Sequence, residues 1–281
     1  GAIFKAKNAG IRVIMATGDH KETAIAVAKE IGLISKNSIE KAITGEELIK
    51  LSQKEFDKAI LKTSIFARLD PKTKLKIAES LQKKGDIIAM TGDGVNDAPA
   101  LKKADVGIAM GIIGTDVARA SAEFILTDDN FASIINAVEE GRIVFNNIRR
   151  TSFFLITTNV AEDITIISSL VLGLPLPLLA TQILWLNLVT DTGTGIALAS
   201  EPSHEHSTLT YAPRSPKEQI LTKEILPPLF ILSILMAILT IVTFSYFLPY
   251  GIDKARTTAF SVMAFTHLFN SLNMRSSRNS I

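Results

Sequence analysis

The sequence predicts an α/β domain followed by an α-helical transmembrane bundle of four spans, and three observations carry that expectation. Charge is unequally divided: residues 1–150 hold 43 of the 58 Asp, Glu, Lys and Arg side chains, and residues 151–281 hold only 15. In the first part, short Ile- and Val-rich runs alternate with helix-patterned stretches, as in a parallel sheet covered by helices. In the second, four apolar segments each approach the roughly 20 residues that cross a bilayer. A chain that is 47% hydrophobic and has no cysteine is neither disordered nor a disulfide-stapled scaffold, and the apolar half excludes a purely soluble enzyme. Its net charge of +2 gives no support for nucleic-acid binding. The chain opens without Met, inside what reads as the body of a helix, and so is expected to be a piece of a longer protein.

Strands are expected at 11–15 (IRVIM), 63–66 (TSIF), 86–90 (DIIAM), 106–110 (VGIAM) and 124–126 (FIL). Helices are expected at about 20–31, at 45–61 in one or two pieces, at 71–84 with Pro71 in the first turn, and at 97–103. Residues 33–44 read as a polar connection. These elements fill a domain at 1–130. From Phe131 a helical pattern without Pro runs to 150 and on into the apolar stretch, so 131–150 is expected to be a stalk helix continuous with the first span. The transmembrane part, 151–281, holds spans at about 151–172, 178–200, 227–248 and 256–274, the first two joined as a hairpin by GLPLP. Arg149, Arg150, Arg214, Lys217, Lys223, Arg275 and Arg278 flank the spans on one side. The excess of positive charge assigns the first half and the 201–224 loop to the cytoplasm, with Lys254 and Arg256 as a mild exception.

Two expected strands end in acidic, glycine-containing loops: ATGD, with Thr17, Gly18 and Asp19, and TGDGVNDAPAL, with Asp93, Gly94, Asn96 and Asp97. Carboxylates at the C-terminal ends of parallel strands converge on the crevice where open α/β sheets bind ligands. Asp93 and Asp97 stand four apart across a glycine turn, which suits magnesium, a cation that takes few carboxylates and keeps waters and phosphate oxygens. The Thr17 hydroxyl can hold phosphoryl oxygens, and Lys74, early in the helix after FARLDPKTK, can neutralise their charge. TGD alone is most often an ordinary strand-to-turn transition, and a lysine on an exposed helix is most often a solvated charge. TGDGVNDAP is a costly loop to keep without a bound ion, so there the functional reading prevails.

Polar groups inside apolar spans are the other informative feature, because a carboxylate at mid-bilayer costs about 2.5–3.5 kcal/mol even on lenient scales. The first span carries Asn159, Glu162 and Asp163, and the second carries Asn187, Thr190 and Asp191. Each set shares a helix face, and the short turn between the spans lets the faces meet. Oxygen ligands of this kind suit a hard cation. Helix–helix hydrogen bonding is the competing reading; it accounts well for Thr157, Thr158 and Thr165 but less well for three carboxylates.

At these residues the chain resembles the cation-transporting P-type ATPases, whose phosphorylation domain has the Rossmann-like fold of the haloacid dehalogenase superfamily. IRVIMATGD, FARLDPKTK and AMTGDGVNDAPALKKADVGIAMG look like three of the family's signatures, in order. The resemblance implies that Asp93 ligands the catalytic magnesium, with Asn96 and Asp97 shaping that site. It further implies that Thr17, Gly18 and Asp19 contact the phosphoryl group or its loop, that Lys74 is the neutralising lysine, and that Arg68 is a nucleotide-side or hinge arginine. ATP is the implied substrate. The family's phosphorylated aspartate lies in DKTGT, which does not occur here; it and the nucleotide-binding and actuator domains are expected elsewhere in the protein, so these residues alone are expected to be inactive.

TTNVAED and LWLNLVTDT look like ion-binding helices of the calcium-transporting branch. That likeness implies that Asn159, Glu162, Asn187, Thr190 and Asp191 ligand the transported cation, calcium before sodium or protons. Asp163 and His267 join the set as further candidates. His267 stands where the sarcoplasmic type of calcium pump has a ligating glutamate, which favours one ion per cycle. A histidine alone in a span serves equally well as hydrogen-bonded structure or as a proton carrier. TDTGTGIALASEP lacks the Pro that often loosens this helix, and Gly193 and Gly195 are expected to supply the unwinding instead. A membrane-anchored phosphatase or binding module with structural spans is the alternative of another class.

Overall fold

The computed structural model describes residues 1–37, 42–202, 208–215 and 218–275. They fall into two compact units, Gly1–Glu139 with Ser207–Pro216 and Glu140–His206 with Lys217–Ile281.

The first unit is an α/β fold. Its elements run α1 Ala2–Asn8, β1 Met15–Ala16, α2 Lys21–Glu30, β2 Ile43–Thr44, α3 Gly45–Ile49, α4 Gln53–Lys62, β3 Ile65–Ala67, α5 Pro71–Gln82, β4 Ala89–Gly92, α6 Ala98–Lys103, β5 Val106–Met110, α7 Asp116–Ala120 and β6 Phe124–Leu126. All strand pairs are parallel and form two three-stranded sheets, β1-β3-β2 and β4-β5-β6. β3 is the middle strand of the first sheet and is buried on both faces. Ile65 and Ala67 point into a cluster with Ala24, Ala28, Leu33 and Ile34, whereas Phe66 points into one with Leu48, Phe56, Ile60, Ile77 and Leu81. The expected strands are present but displaced or shortened. The ladder after Ile11 begins only at Met15, and the one after Asp86 begins only at Ala89. Each of these segments belongs to an outer strand, β1 or β4, with a neighbour on one side only. The facing edges border a groove of about 480 Å³ whose walls include Val13, Met15, Thr91 and Phe131.

Local chemistry explains the element ends. The stretch expected at 45–61 is two helices because Ser52 opens α4 with a capping box to Glu55, just as Thr44 opens α3 with one to Glu47. α5 starts at Pro71 behind Asp70, whose carboxylate accepts the Thr73 amide at 2.6 Å. β2, within the stretch read as a polar connection, is only two residues long and pairs with Phe66 and Ala67 of β3. Asp129, in a left-handed conformation, accepts the amides of Gly111, Ile112 and Ile113 and fixes the loop after β5.

A single helix of 41 residues, α8 (Phe131–Val171), follows. The rest of the second unit contains α9 Ala180–Trp185, a π-helical segment Leu186–Asp191, α10 Thr192–Ala199, α11 Leu226–Phe247 and α12 Ile252–Met274. Among the described residues two helical segments are long and apolar enough to cross a membrane, Phe131–Val171 and Leu226–Tyr250. The expected second span is a helix broken by the π segment, and the expected fourth, α12, carries Asp253, Lys254 and Arg256 in its opening turns. Four spans are therefore not established by these helices. α11 and α12 turn on Leu248–Tyr250 and on Gly251, whose φ of +113° a side chain would oppose. Ala255, Ala259 and Met263 of α12 pack with Phe244, Leu178 and Leu186, the small residues allowing close helix approach. The end of α10 is satisfied from α8, where Asn147 Nδ2 donates to the carbonyls of Ala199 and Glu201.

Candidate functional site

In the first unit the predicted residues gather at the C-terminal ends of β1, β3 and β4. Thr17 follows β1, and its backbone is held by β3 and the residues beyond it: its amide donates to Phe66 and its carbonyl accepts from Leu69. Its Oγ1 donates to Asp19 Oδ2 at 2.9 Å and accepts the Asp19 amide at 3.1 Å, so the two side chains brace each other around the exposed Gly18. Arg68, one residue past β3, sits at φ +48°, a conformation costing a non-glycine residue about 1–3 kcal/mol. There its amide reaches the Asp19 carbonyl and its guanidinium meets His20 Nδ1 at 2.7 Å.

Asp97 is the buried member of the second loop, with 7% of its surface exposed. Lys74 Nζ donates to its Oδ1 at 2.7 Å, and the Gly94 amide donates to its Oδ2 at 3.3 Å. Lys74 comes from the first turn of α5. The Asp70 cap of that helix sits below the usual carboxylate range because the Thr73 amide donates to it. Gly92 leaves the space Asp97 fills: a Cβ there would lie 2.5 Å from Asp97 Cβ. Asp93 and Asn96 are exposed, and the Asp93 carbonyl accepts the Thr115 amide at 2.8 Å. The lysine expected to meet phosphate is thus already paired with one of the two carboxylates. Among the described residues no hydrogen bond joins the Thr17–Asp19 pair to Asp93 or Asp97.

The donor set fits magnesium in part. Asp93 offers an exposed carboxylate with no hydrogen bond or ion pair among the described residues, while both Asp97 oxygens are engaged. No group of three or more His, Cys, Asp or Glu side chains forms a metal cage among the described residues. Magnesium needs no such cage when waters and phosphate oxygens complete its shell. Asp93 would hold it directly, with Asp97 and Asn96 shaping the loop; bound there, the ion would neutralise phosphoryl charge.

In the second unit two hydrogen-bonded polar groups link three elements. α8 supplies Thr158 and Glu162, one turn apart; the π segment supplies Asn187 and Asp191; and α12 supplies His267. Asn187 Nδ2 donates to Glu162 Oε2 at 3.3 Å. Asp191 Oδ2 accepts the Thr158 hydroxyl at 2.8 Å, and Asp191 Oδ1 lies 2.9 Å from His267 Nδ1. Glu162, Asp191 and His267 are 4%, 2% and 0% exposed. Four buried atoms here have no hydrogen-bond partner: Glu162 Oε1, His267 Nε2 and the amide oxygen and nitrogen of Asn270.

The other candidates stand apart from these groups. Asn159 is exposed, with its amide donating to the Leu155 carbonyl one turn back, and Asp163 is exposed on the same helix. Thr190 is buried, and its carbonyl accepts the Thr194 hydroxyl. The helix loosens at Leu186–Asp191, not at Gly193 and Gly195, which lie in regular α10. The hydroxyls of Thr192 and Thr194 bond the carbonyls of Asn187, Thr190 and Asp191, so threonines stabilise the altered register in place of glycines. Sequence reasoning expected Thr158 to make a helix–helix hydrogen bond, as it does to Asp191, and missed Asn270. Asn270 was open to discovery, since it stands three residues after His267 and hence on the same helix face.

Residues 1–105 match the haloacid dehalogenase-like hydrolases, and residues 175–281 match the C-terminus of cation transporting ATPases. Calcium-transporting ATPase 1 of Bacillus cereus is 42% identical over 298 aligned residues, covering 100% of this chain and 33% of that protein. The calcium-transporting ATPase of Bacillus subtilis is 41% identical over 98% of this chain and 31% of its own length. P-type sodium-transporting ATPase4 of Toxoplasma gondii is 44% identical over 79% of this chain and 17% of its own length. The chain therefore spans about a third of the length of the bacterial relatives it matches. With a hydrolase-type unit and a cation-transporter unit in this order, and relatives of one kind along its whole length, the chain belongs to the P-type cation-transporting ATPases.

Proposed function

We propose that the chain supplies the magnesium-binding part of the phosphorylation domain, together with the cation-binding helices, of an ATP-driven pump for a divalent cation. Calcium is the cargo in the printed names of two bacterial relatives and sodium in that of the Toxoplasma relative. The observation that carries the reading is the pair Glu162 and Asp191, both almost wholly buried among apolar helices, the first accepting from Asn187 and the second from Thr158. A membrane anchor has no use for such a pair, whose burial is costly without a counter-ion or ligand. In this reading the protein is a multi-pass membrane protein of four spans within this chain, with its first unit in the cytoplasm, and α8 is both stalk and first span.

The phosphate site also calls for a further strand. β1 and β4 are parallel-sheet edges bordering one apolar groove, with Thr17 past the end of one strand and Asp93 past the end of the other. A parallel strand seated there would complete a single sheet and deliver a residue at its C-terminal end between those two loops. That is the place for the aspartate that accepts the phosphoryl group, carried by another part of the protein. Thr17 and Asp19 would then hold the phosphoryl oxygens. Lys74 would fix Asp97 and the loop bearing Asp93, keeping the metal-binding carboxylate in place.

The test is cation-dependent phosphorylation by ATP of the complete protein, with Glu162→Gln beside the wild type. We expect the wild type to form a phosphoenzyme only when magnesium and the cargo cation are both present, and Glu162→Gln to lose the cation dependence. Unchanged cation-stimulated activity in Glu162→Gln would leave the buried carboxylate a structural role and reject the pump reading.

A further inference from the structure

We infer that His20 is a positioning residue of the phosphate site: its neutral imidazole holds the Arg68 guanidinium toward the incoming nucleotide, and protonation of the ring releases it. This inference rests on the pump reading, in which ATP is the phosphoryl donor, and adds to it a residue and a pH dependence.

The chemistry of the contact fixes the state of the ring. Arg68 Nη2 and His20 Nδ1 stand 2.7 Å apart. A guanidinium has only donors and stays charged, so Nδ1 is the acceptor and the ring is neutral, with its proton on Nε2. A protonated imidazole would set a donor and a second positive charge against the guanidinium, and the contact would break. His20 also stands at the N-cap of α2, where a Ser, Thr, Asp or Asn side chain usually accepts a helix amide. Its side chain makes no such bond and is turned to Arg68 instead.

Arg68 is held at three points. Its amide donates to the Asp19 carbonyl at 2.9 Å, and its guanidinium meets His20. Its carbonyl oxygen lies so close to the start of α3 that a Cβ at Gly45 would be 2.7 Å from it. The side chain so fixed is exposed beside the Thr17–Asp19 loop, and among the described residues no carboxylate pairs with it. An anchored guanidinium with free N–H groups, at the C-terminal edge of a parallel sheet, is suited to phosphate oxygens.

The charged neighbours of the pair are Asp19 and Lys21 on either side of His20, Glu22 in α2, Glu46 and Glu47 in the first turn of α3, and Asp70 and Lys72 at the start of α5. Lys21 meets Glu47 at 3.3 Å. The Thr44 amide holds Glu47, and the Thr73 amide holds Asp70, below the usual carboxylate range. Of these side-chain types, imidazole is the one that ordinarily changes charge between about pH 5 and 8.

The experiment uses the complete protein in detergent, with magnesium and the cargo cation saturating, and measures phosphoenzyme against ATP concentration at about pH 6 and about pH 8. At the higher pH, His20→Leu should raise the half-saturating ATP concentration about tenfold, the scale of one lost charge-assisted hydrogen bond, and leave the maximal phosphoenzyme level unchanged. In the wild type the ATP requirement should climb toward the His20→Leu value at the lower pH. His20→Asn, whose amide oxygen takes the place of Nδ1 and does not titrate, should keep the wild-type requirement at both. A merely structural role would lower the maximal level and would not follow pH. A His20→Leu protein with the wild-type ATP requirement would overturn the inference while leaving the pump reading intact. So would a His20→Asn protein that matches His20→Leu at the higher pH, or one whose requirement climbs on acidification as the wild type's does. A wild type that forms no phosphoenzyme at any ATP concentration would defeat both.

Discussion

Asp97 is the buried carboxylate of the candidate phosphate loop. It is anchored by Lys74 at 2.7 Å and by the Gly94 amide, and it occupies the space left by the missing side chain of Gly92. Gly92→Ala would set a methyl carbon 2.5 Å from Asp97 Cβ, and the loop must shift to relieve it. We expect a loss of about 1–3 kcal/mol in denaturant unfolding, typical of overpacking, and weaker magnesium-dependent phosphorylation in the complete protein. Unchanged stability and activity would mean that the loop yields freely. The spacing of Asp93 and Asp97 was legible in the sequence, as was the concentration of acids in TGDGVNDAP. Their different surroundings were not, because pairing between Asp97 and Lys74 joins residues 23 apart and depends on how α5 packs. Thr158 was expected to bond between helices, but its partner was not legible. Threonines in apolar helices usually bond their own backbone, as Thr157 and Thr165 do here, and only the fold brings Asp191 within reach of this one.

Elements with a strong local signal were readable, and those defined by neighbours were not. β5 and β6 have the expected bounds because apolar runs bracketed by turns leave little choice. β2 is visible only as a partner of β3, and the π segment looks like ordinary helix until Asn187 and Asp191 are seen to face different partners. A π segment amounts to one extra residue in a helix. Deleting Leu188, an exposed residue in its middle, should restore an α register and rotate Asn187 about 100° relative to Asp191, so that the two can no longer meet Glu162 and His267 at once. We expect such a protein to insert and fold but to lose cation-stimulated phosphorylation; retained stimulation would show that the register is incidental. In the first unit, Asp105 ties the start of β5 to the strand beside it, accepting the Ile88 amide at 2.8 Å and Gln82 at 3.1 Å. The Ile88 amide first, and Gln82 next, hold its carboxyl below the usual carboxylate range. A depressed folded value means that the contribution is complete above about pH 4, the unfolded value, and is lost as pH falls through the folded one. Melting of the wild type should therefore fall on acidification below about pH 4 more steeply than that of Asp105→Asn, whose amide does not titrate. Parallel curves would remove Asp105 from the acid response.

At the scale of the whole molecule, a pump must make the phosphate site and the cation site bias one shared element, since coupling is a difference in free energy between two global states. Among the described helices α8 is the longest, and the proposed function gives it that role: 41 residues without proline, about 60 Å of continuous helix, carrying Thr158 and Glu162 toward its far end. A rod transmits a tilt or shift because its backbone hydrogen bonds have no soft point, and a short flexible insertion supplies one without touching either site. We therefore expect a Gly-Gly-Ser insertion after Asn146 in the complete protein to leave ATP hydrolysis largely intact while lowering cations moved per ATP in sealed vesicles. Glu162→Gln, acting at the proposed ligand itself, should instead remove cation-stimulated hydrolysis and transport together. The contrast between the two variants is the informative result. If the inserted protein transports at the wild-type ratio, the rod is not the coupling element and the shared two-state structure must be sought in another helix. If both variants lose hydrolysis and transport together, occupancy of the cation site and integrity of the rod are one requirement, and the separate-lever account fails.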